Sequence, residues 1–408
     1  MKDRSLLAKP AAFTLVELLV STAIIALILL ILVQITNQMT QTWQYTTEKI
    51  EKFQEARDGF ESMTRRISQA TLNTYWDYLD EDGNPRPKDV GTTAYSNFIP
   101  NSYGRMSSLR FISGPILGPE NASLVSGGTG NWPTHGMFFQ APLGLVEETD
   151  SRSLNNLLNT WGYFVEVGND FNRPPFLDPK TTPQRWRSRL MEFMQPSEKM
   201  ALHDVAYTDL KNNWFTVPFL LPNGPTSQRP VRVLAENVTA LIIVPRLTKQ
   251  DEVARAERGY SPVLSPACIY DSRLALNSVS QGYVLNVGAK VNSANPADAA
   301  GINPRNQLPP IVQVTMVSID ERSAARLAAK YPNDPALGLT AAAGKAGINL
   351  ADLFKRADRL EDNTATAEPG DGDLSDYERL LVSEGLTYRV FTTNVSIRGA
   401  KWSRAQTK

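Results

Sequence analysis

Glu17 is the only ionisable side chain between Phe13 and Val33, in the run "FTLVELLVSTAIIALILLILV". A carboxylate at the edge of hydrocarbon costs a few kcal/mol even on lenient insertion scales, so it needs either an opposite charge beside it or headgroups close enough to keep it hydrated. No other residue offers chemistry as pointed. His135, in "WPTHGMFF", and His203 are the two histidines, too isolated for a metal cage or a catalytic triad. Cys268, in "SPACIYDS", has no histidine near it in sequence and reads as a buried thiol. "GLTAAAGKAG" (338–347) has one residue too many between Gly338 and Gly344 for a phosphate loop, and Ala346 stands where a magnesium-binding hydroxyl is needed. The nucleotide reading fails. No G-x-S-x-G, H-E-x-x-H or C-x-x-C occurs, so no catalytic residue and no enzyme activity are expected.

Two acidic turns carry oxygens at the alternate spacing a calcium ion takes. "DEDGN" (80–84) sets Asp80 and Asp82 before a glycine, with Asp89 further on. "DGDLSDYE" (371–378) spaces Asp371, Asp373 and Ser375, then adds Asp376 and Glu378. The EF-hand is incomplete, because Val382 stands at the twelfth position from Asp371. Calcium on Asp371, Asp373, Ser375 and Asp376 is the minor expectation here. The main one is a solvated turn or a cap, with Asp373 or Ser375 capping a helix that begins near Asp376.

The elements that must position Glu17 come next. The chain has 408 residues, with 42 basic and 42 acidic side chains. That balance leaves no electrostatic footprint for nucleic acid. One cysteine cannot close an internal disulfide, so packing alone must stabilise the fold. From Phe13 to Val33 the run reaches roughly 30 Å at about 1.5 Å per residue, the thickness of a bilayer core. It is too long and too evenly apolar for an ordinary core helix. It ends in "VQITNQMTQTWQ" without an A-x-A cut site, unlike a cleaved secretory signal. Lys2, Arg4 and Lys9 precede it, so the positive-inside bias predicts a cytoplasmic N-terminus and an exported remainder.

"A-FTLVELL" resembles the N-terminal cleavage and methylation signal of type IV prepilins and pseudopilins. That signal is a short basic leader, a small residue, then phenylalanine, Thr-Leu, an aliphatic residue and glutamate fifth after the cut. The resemblance implies that a prepilin peptidase cuts between Ala12 and Phe13 and methylates the new amine of Phe13. Phe13, Thr14, Leu15, Val16 and Glu17 match the pattern; Ala12 stands where the family nearly always has glycine. It also implies that Glu17 pairs with the N-terminal amine of a neighbouring subunit and so sets the register of assembly. Breaking such a pair leaves an uncompensated ion. More loosely, "RISQA", "LAENVTALIIV" and "LPPIVQVTMVSID" resemble J-type minor pseudopilins of type II secretion. "MTRRISQATLNTYWDY" and "GMFFQAPLG" look like the prepilin-like family called Verru_Chthon cassette protein C.

Beyond Val33 an apolar stripe continues through Trp43, Ile50, Phe53, Phe60, Met63, Ile67 and Ala70. No proline interrupts residues 13 to 75, which predicts one helix of about 60 residues. Strands are then expected in 107–114, 135–144, 161–170, 187–196, 229–247, 308–320 and 386–399. Helical pieces are expected in "ERSAARLAAKYP", "NLADLFKRADRL" and "LSDYERLLVSEG". The predicted fold class is α+β: a long N-terminal helix packed on an antiparallel sheet, pilin-like, with a helical insertion before the last strand. The expected segments are a leader (1–12), a transmembrane helix (13–35) and its amphipathic continuation (36–78). A β-rich extracytoplasmic domain (92–320), a helical acidic insertion (321–385), and a final strand and tail (386–408) follow.

The expected function is a structural, minor pilin-like or pseudopilin subunit of a pilus-like or type II secretion complex. Its partners would be the peptidase, other pilin-like helices and membrane lipid, with no cofactor. The alternative is a single-pass, membrane-tethered binding module that never polymerises, using the aromatic-rich region 161–219 for recognition.

Overall fold

The computed structural model describes residues 15–81, 85–87, 90–118, 123–126, 132–147, 156–169, 176–178, 180–182, 185–203, 213–220, 229–257, 264, 268–273, 306–331, 353–360 and 372–401. The chain forms two compact units, Met1–Gln54 and Glu55–Lys408. Helix α1, Leu15–Ile67, begins in the first and ends in the second.

In the first unit α1 is bare. Every described side chain from Leu15 to Trp43 is exposed, and that stretch is long and apolar enough to cross a membrane. Hydroxyls that would lie unsatisfied there bond to the helix itself. Ser21 Oγ donates to the Glu17 carbonyl, Thr22 to Leu19 at 3.0 Å, Thr36 to Leu32 at 2.8 Å and Thr40 to Thr36 at 2.9 Å.

In the second unit the helix has one buried face, made by Ala56, Phe60, Met63 and Ile67 at helical spacing. It stops at Ile67, short of the expected limit near residue 75. Ser68, Gln69 and Ala70 tighten into a terminal turn on the carbonyls of Thr64, Arg66 and Ile67. Thr71 then bridges to Gln140, so the segment read as amphipathic helix to 78 ends in extended chain.

Thirteen strands follow among the described residues: β1 (Tyr75–Leu79), β2 (Ser102–Met106), β3 (Ile112–Pro115), β4 (Leu117–Gly118), β5 (Val125–Ser126), β6 (His135–Pro142), β7 (Leu158–Gly168), β8 (Arg187–Gln195), β9 (Val231–Glu236), β10 (Val238–Arg246), β11 (Tyr270–Asp271), β12 (Ile311–Ile319) and β13 (Tyr388–Ser396). The large antiparallel sheet has the order β11-β3-β6-β7-β8-β9, and a smaller one the order β10-β12-β13. β1 and β2 pair apart from both, and β4 and β5 form a short parallel contact. The fold is therefore mixed helix and antiparallel sheet, with a long apolar N-terminal helix.

One stretch, 231–246, serves both sheets. A strand is expected across 229–247; the structure instead has two, and Asn237, at φ 60°, separates β9 of the large sheet from β10 of the small one. Asn tolerates that left-handed backbone better than most residues. β10 packs against β6, β7 and β8. The main core fills between them and α1 with Met63, Ile67, Phe138, Phe164, Phe193, Leu241 and Val314.

Among the described residues, the helices of more than two turns after α1 are α2 (Lys249–Glu257), α3 (Glu321–Lys330) and α4 (Asp373–Ser383). α3 starts at Asp320, whose carboxylate accepts the Ser323 N–H at 2.9 Å. Leu327 of α3 and Tyr377, Leu380 and Leu381 of α4 make a second core with Ile242, Val317 and Ile319 of the small sheet. The expected helical insertion thus covers one face of that sheet. Of "NLADLFKRADRL", the described part holds only a short 3-10 turn, Ala357–Arg359.

Candidate functional site

Glu17 lies in the first turn of α1, where the positive end of the helix dipole favours an acid. Within α1 it is the sole charge before Glu48, and its apolar neighbours are bare: Leu18 and Leu19 are each about 60% exposed. The cleavage residues Ala12 and Phe13 lie outside the described residues, as does Asp371 of the calcium candidate. The loop 338–347 lies outside them too.

A second charged centre, which the sequence reading did not single out, holds the buried end of α1. Glu192 of β8 is wholly buried. Its carboxylate accepts from Trp161 Nε1 at 2.7 Å and Tyr163 Oη at 3.0 Å, both on β7, and from Arg232 Nε on β9 at 2.5 Å. Arg66, in the last turn of α1, donates the fourth bond and lays its guanidinium 4.9 Å from the Trp161 ring centroid. Burial, and then the Glu192 charge, push the Tyr163 phenol well above its ordinary range. For Arg66, burial opposes the charge, but bonds to Tyr163 and Glu192 outweigh it and raise the pKa. The arrangement fixes helix to sheet.

The remaining buried acids are also committed. Glu166 receives Arg229 in a two-pronged pair, Nη2 at 2.7 Å and Nη1 at 3.2 Å, and Trp132 Nε1 at 3.0 Å. Asp271 receives Arg110 in the same manner, at 2.9 and 2.5 Å. Asp373 accepts the Phe354 N–H at 2.8 Å and lies 3.3 Å from Arg359, while Asp376 lies 2.9 Å from Arg379. Helix α4 begins at Asp373 itself, with Gly372 as a cap that has no side-chain bond. The expected capping by Asp373 or Ser375 is corrected accordingly: Asp373 serves the Phe354 turn instead. Among the described residues no group of three or more His, Cys, Asp or Glu is placed to hold a metal ion.

His135 is buried and structural. Its Nδ1 accepts the Ile243 N–H at 3.0 Å, which leaves the proton on Nε2, 2.6 Å from the Phe354 carbonyl. Burial pulls its pKa down to about 4, against the two backbone bonds. Cys268 is buried, as expected.

Most described aromatics of 161–219 lie in the core, although Phe176 is exposed. Trp161, Tyr163, Phe164, Trp214 and Phe215 are all buried, with Phe164 and Trp214 packed around Phe138. Exposed rings gather instead on the β1–β2 pair. Trp76 stands opposite Arg105 and Tyr78 opposite Tyr103, so all four side chains share one face. The two tyrosine rings lie 4.6 Å apart, Arg105 lies 5.8 Å from the Trp76 ring and Arg86 6.0 Å from Tyr78. Trp76 and Tyr103 are both about two-thirds exposed.

No protein-family model matches the sequence, and no curated protein matches it.

Proposed function

We propose that this chain is a prepilin-like structural subunit, anchored in a bacterial inner membrane by α1 and assembled through that helix with other pilin-like chains. The leader 1–12 stays cytoplasmic and is removed by a prepilin peptidase after Ala12; the amine of Phe13 is methylated. The domain from Glu55 onward faces the periplasm or exterior. Glu17 pairs with the N-terminal ammonium of an adjacent subunit, and that answers why an acid persists in the apolar run. A pair in low dielectric selects register because either partner alone is costly.

The observation that carries this reading is the divided burial of one helix. α1 is bare and apolar over Leu15–Trp43, with Glu17 its only charge, and its Ala56–Ile67 end is buried in the sheet core. The resemblance of residues 12–19 to the prepilin signal supports it. The deciding experiment is mass spectrometry of the mature N-terminus in a cell that has a prepilin peptidase. Methylated Phe13 is the expected result, and an intact Met1 overturns the proposal.

The β1–β2 face favours a second reading, a tethered binding module. Exposed Trp76 and Tyr103 beside Arg86 and Arg105 are the residue types that carry recognition.

A further inference from the structure

β10 is an edge strand of the small sheet, yet two of its outward N–H groups are already taken. Thr134 Oγ1 accepts the Leu241 N–H at 3.1 Å and His135 Nδ1 accepts the Ile243 N–H at 3.0 Å, so two side chains stand where a neighbouring strand would. From the same imidazole Nε2 reaches the Phe354 carbonyl, while Asp373 takes the Phe354 N–H. Phe354 needs both holds. Its φ of 62° is left-handed, a conformation that a bulky residue keeps only where its surroundings impose it. The rest of the turn 353–360 is lightly seated. Leu353 and Phe354 are its only buried side chains among those described, and a cavity of about 60 Å³ is lined by Ala357 and Leu360 together with Val244 and Gln313.

We propose that His135 is an acid-released latch: a proton taken up on Nδ1 frees the turn 353–360 from the second core and uncovers the edge of β10. The neutral ring accepts at one nitrogen and donates at the other, and both are in use. A protonated ring has only donors, so the Ile243 N–H loses its acceptor. The Ile243 carbonyl, 3.1 Å away, can take the new N–H, but the ring's partners are then two neutral carbonyls around a buried charge. Opening returns water to the ring and relaxes Phe354. The titratable groups that meet the turn are Asp373 and Tyr377 of α4 and its own Arg359, which lies 3.3 Å from Asp373. β6 has no other titratable residue, β10 has none before Arg246, and none of these groups bonds to the imidazole. Burial holds the closed ring at about 4, below the ordinary 6.5, so opening becomes easier as pH falls between those values and levels off beneath them. Across that window the ratio of open to closed turn should rise about 300-fold.

Hydrogen exchange followed by mass spectrometry tests it, on the full chain in mild detergent and with chemical exchange rates corrected at each pH. Peptides covering 353–360 should lose protection by about 30- to 300-fold as pH falls through that window. At every pH the turn should exchange at least about tenfold ahead of β7 and β8, the mark of a local opening rather than unfolding of the domain. Asp373→Asn, which still accepts the Phe354 N–H, should preserve the pH response. His135→Gln keeps an acceptor and a donor without a titrating group, and should flatten it. Constant protection in the natural chain overturns the latch, and so does a response that survives His135→Gln or vanishes with Asp373→Asn. Exchange of the turn in step with β7 and β8 overturns it too. The natural chain's own profile decides the matter should either variant fail to fold.

Discussion

Replacing Glu192 by alanine is the sharpest test of how the buried end of α1 is held. The carboxylate is wholly buried and receives Trp161, Tyr163, Arg66 and Arg232. Its removal strands two buried neutral donors and one guanidinium that is only a quarter exposed. Breaking a buried ion pair from one side costs about 3–5 kcal/mol. Against a typical stability of about 5–15 kcal/mol, that is a large fraction of the whole. The partners should rank by exposure. Arg66→Ala should cost about 3 kcal/mol, the low end of that range, because its own side chain is partly exposed. Arg232, whose side chain is 48% exposed, should cost about 1 kcal/mol or less. Urea unfolding of the full chain in mild detergent, read by tryptophan fluorescence, measures all three. Amide exchange over residues 56–67 should rise in Glu192→Ala before the rest of the sheet domain opens. A loss below about 1 kcal/mol for Glu192→Ala, or an Arg232 effect as large as that of Arg66, would refute the reasoning.

Gly162→Ala should lose about 1–3 kcal/mol by overpacking. Its new Cβ would collide with Cδ1 of Phe138 and lie 2.6 Å from Cε1 and 3.0 Å from the Met137 carbonyl, a change readable as a lower Tm. For His135 the folded pKa of about 4 lies below the unfolded value of about 6.5, so the unfolded chain takes up the proton first. Stability should therefore be intact above about pH 6.5, fall through the window down to 4, and flatten below, by about 3 kcal/mol in all. The difference in pH slope between the natural chain and His135→Gln measures it, and identical slopes would contradict the buried neutral tautomer. Glu17→Ala should leave the chain in the membrane but abolish co-purification with pilin-like partners; unchanged co-purification would favour the tethered binding module.

The strands were the most legible part of the sequence. His135–Pro142, Leu158–Gly168, Arg187–Gln195, Ile311–Ile319 and Tyr388–Ser396 fall where short apolar or alternating runs place them. What failed was punctuation without glycine or proline. Nothing in "RRISQATLNTYW" marks the helix end, because Ile67 is followed by a turn that tertiary pairing of Thr71 with Gln140 enforces. Asn237 was a visible signal read too lightly: one left-handed residue turns a single apolar run into strands of two sheets. Glu192 and Glu166 are legible only as charges inside apolar strands, and Asp373 reads as a calcium ligand or cap when it instead holds the Phe354 turn. Their partners lie far along the chain, and a linear pattern cannot say which arginine arrives. Aromatic richness is ambiguous for a related reason. Density of rings in 161–219 reports core volume as readily as a surface, and only pairing register separates Trp161 from Trp76.

The closing strand has a consequence for the order of folding. β13 completes the small sheet against β12, and just beyond it the Arg398 N–H bonds to the Ser68 carbonyl at 3.0 Å, beside the end of α1. Segments far apart in sequence therefore meet at one junction, and until β13 docks, β12 keeps an open edge and the helix terminus lacks this tie. Contacts of such long separation must wait for loop closure, so this junction closes late and leaves a strand edge exposed in the interval.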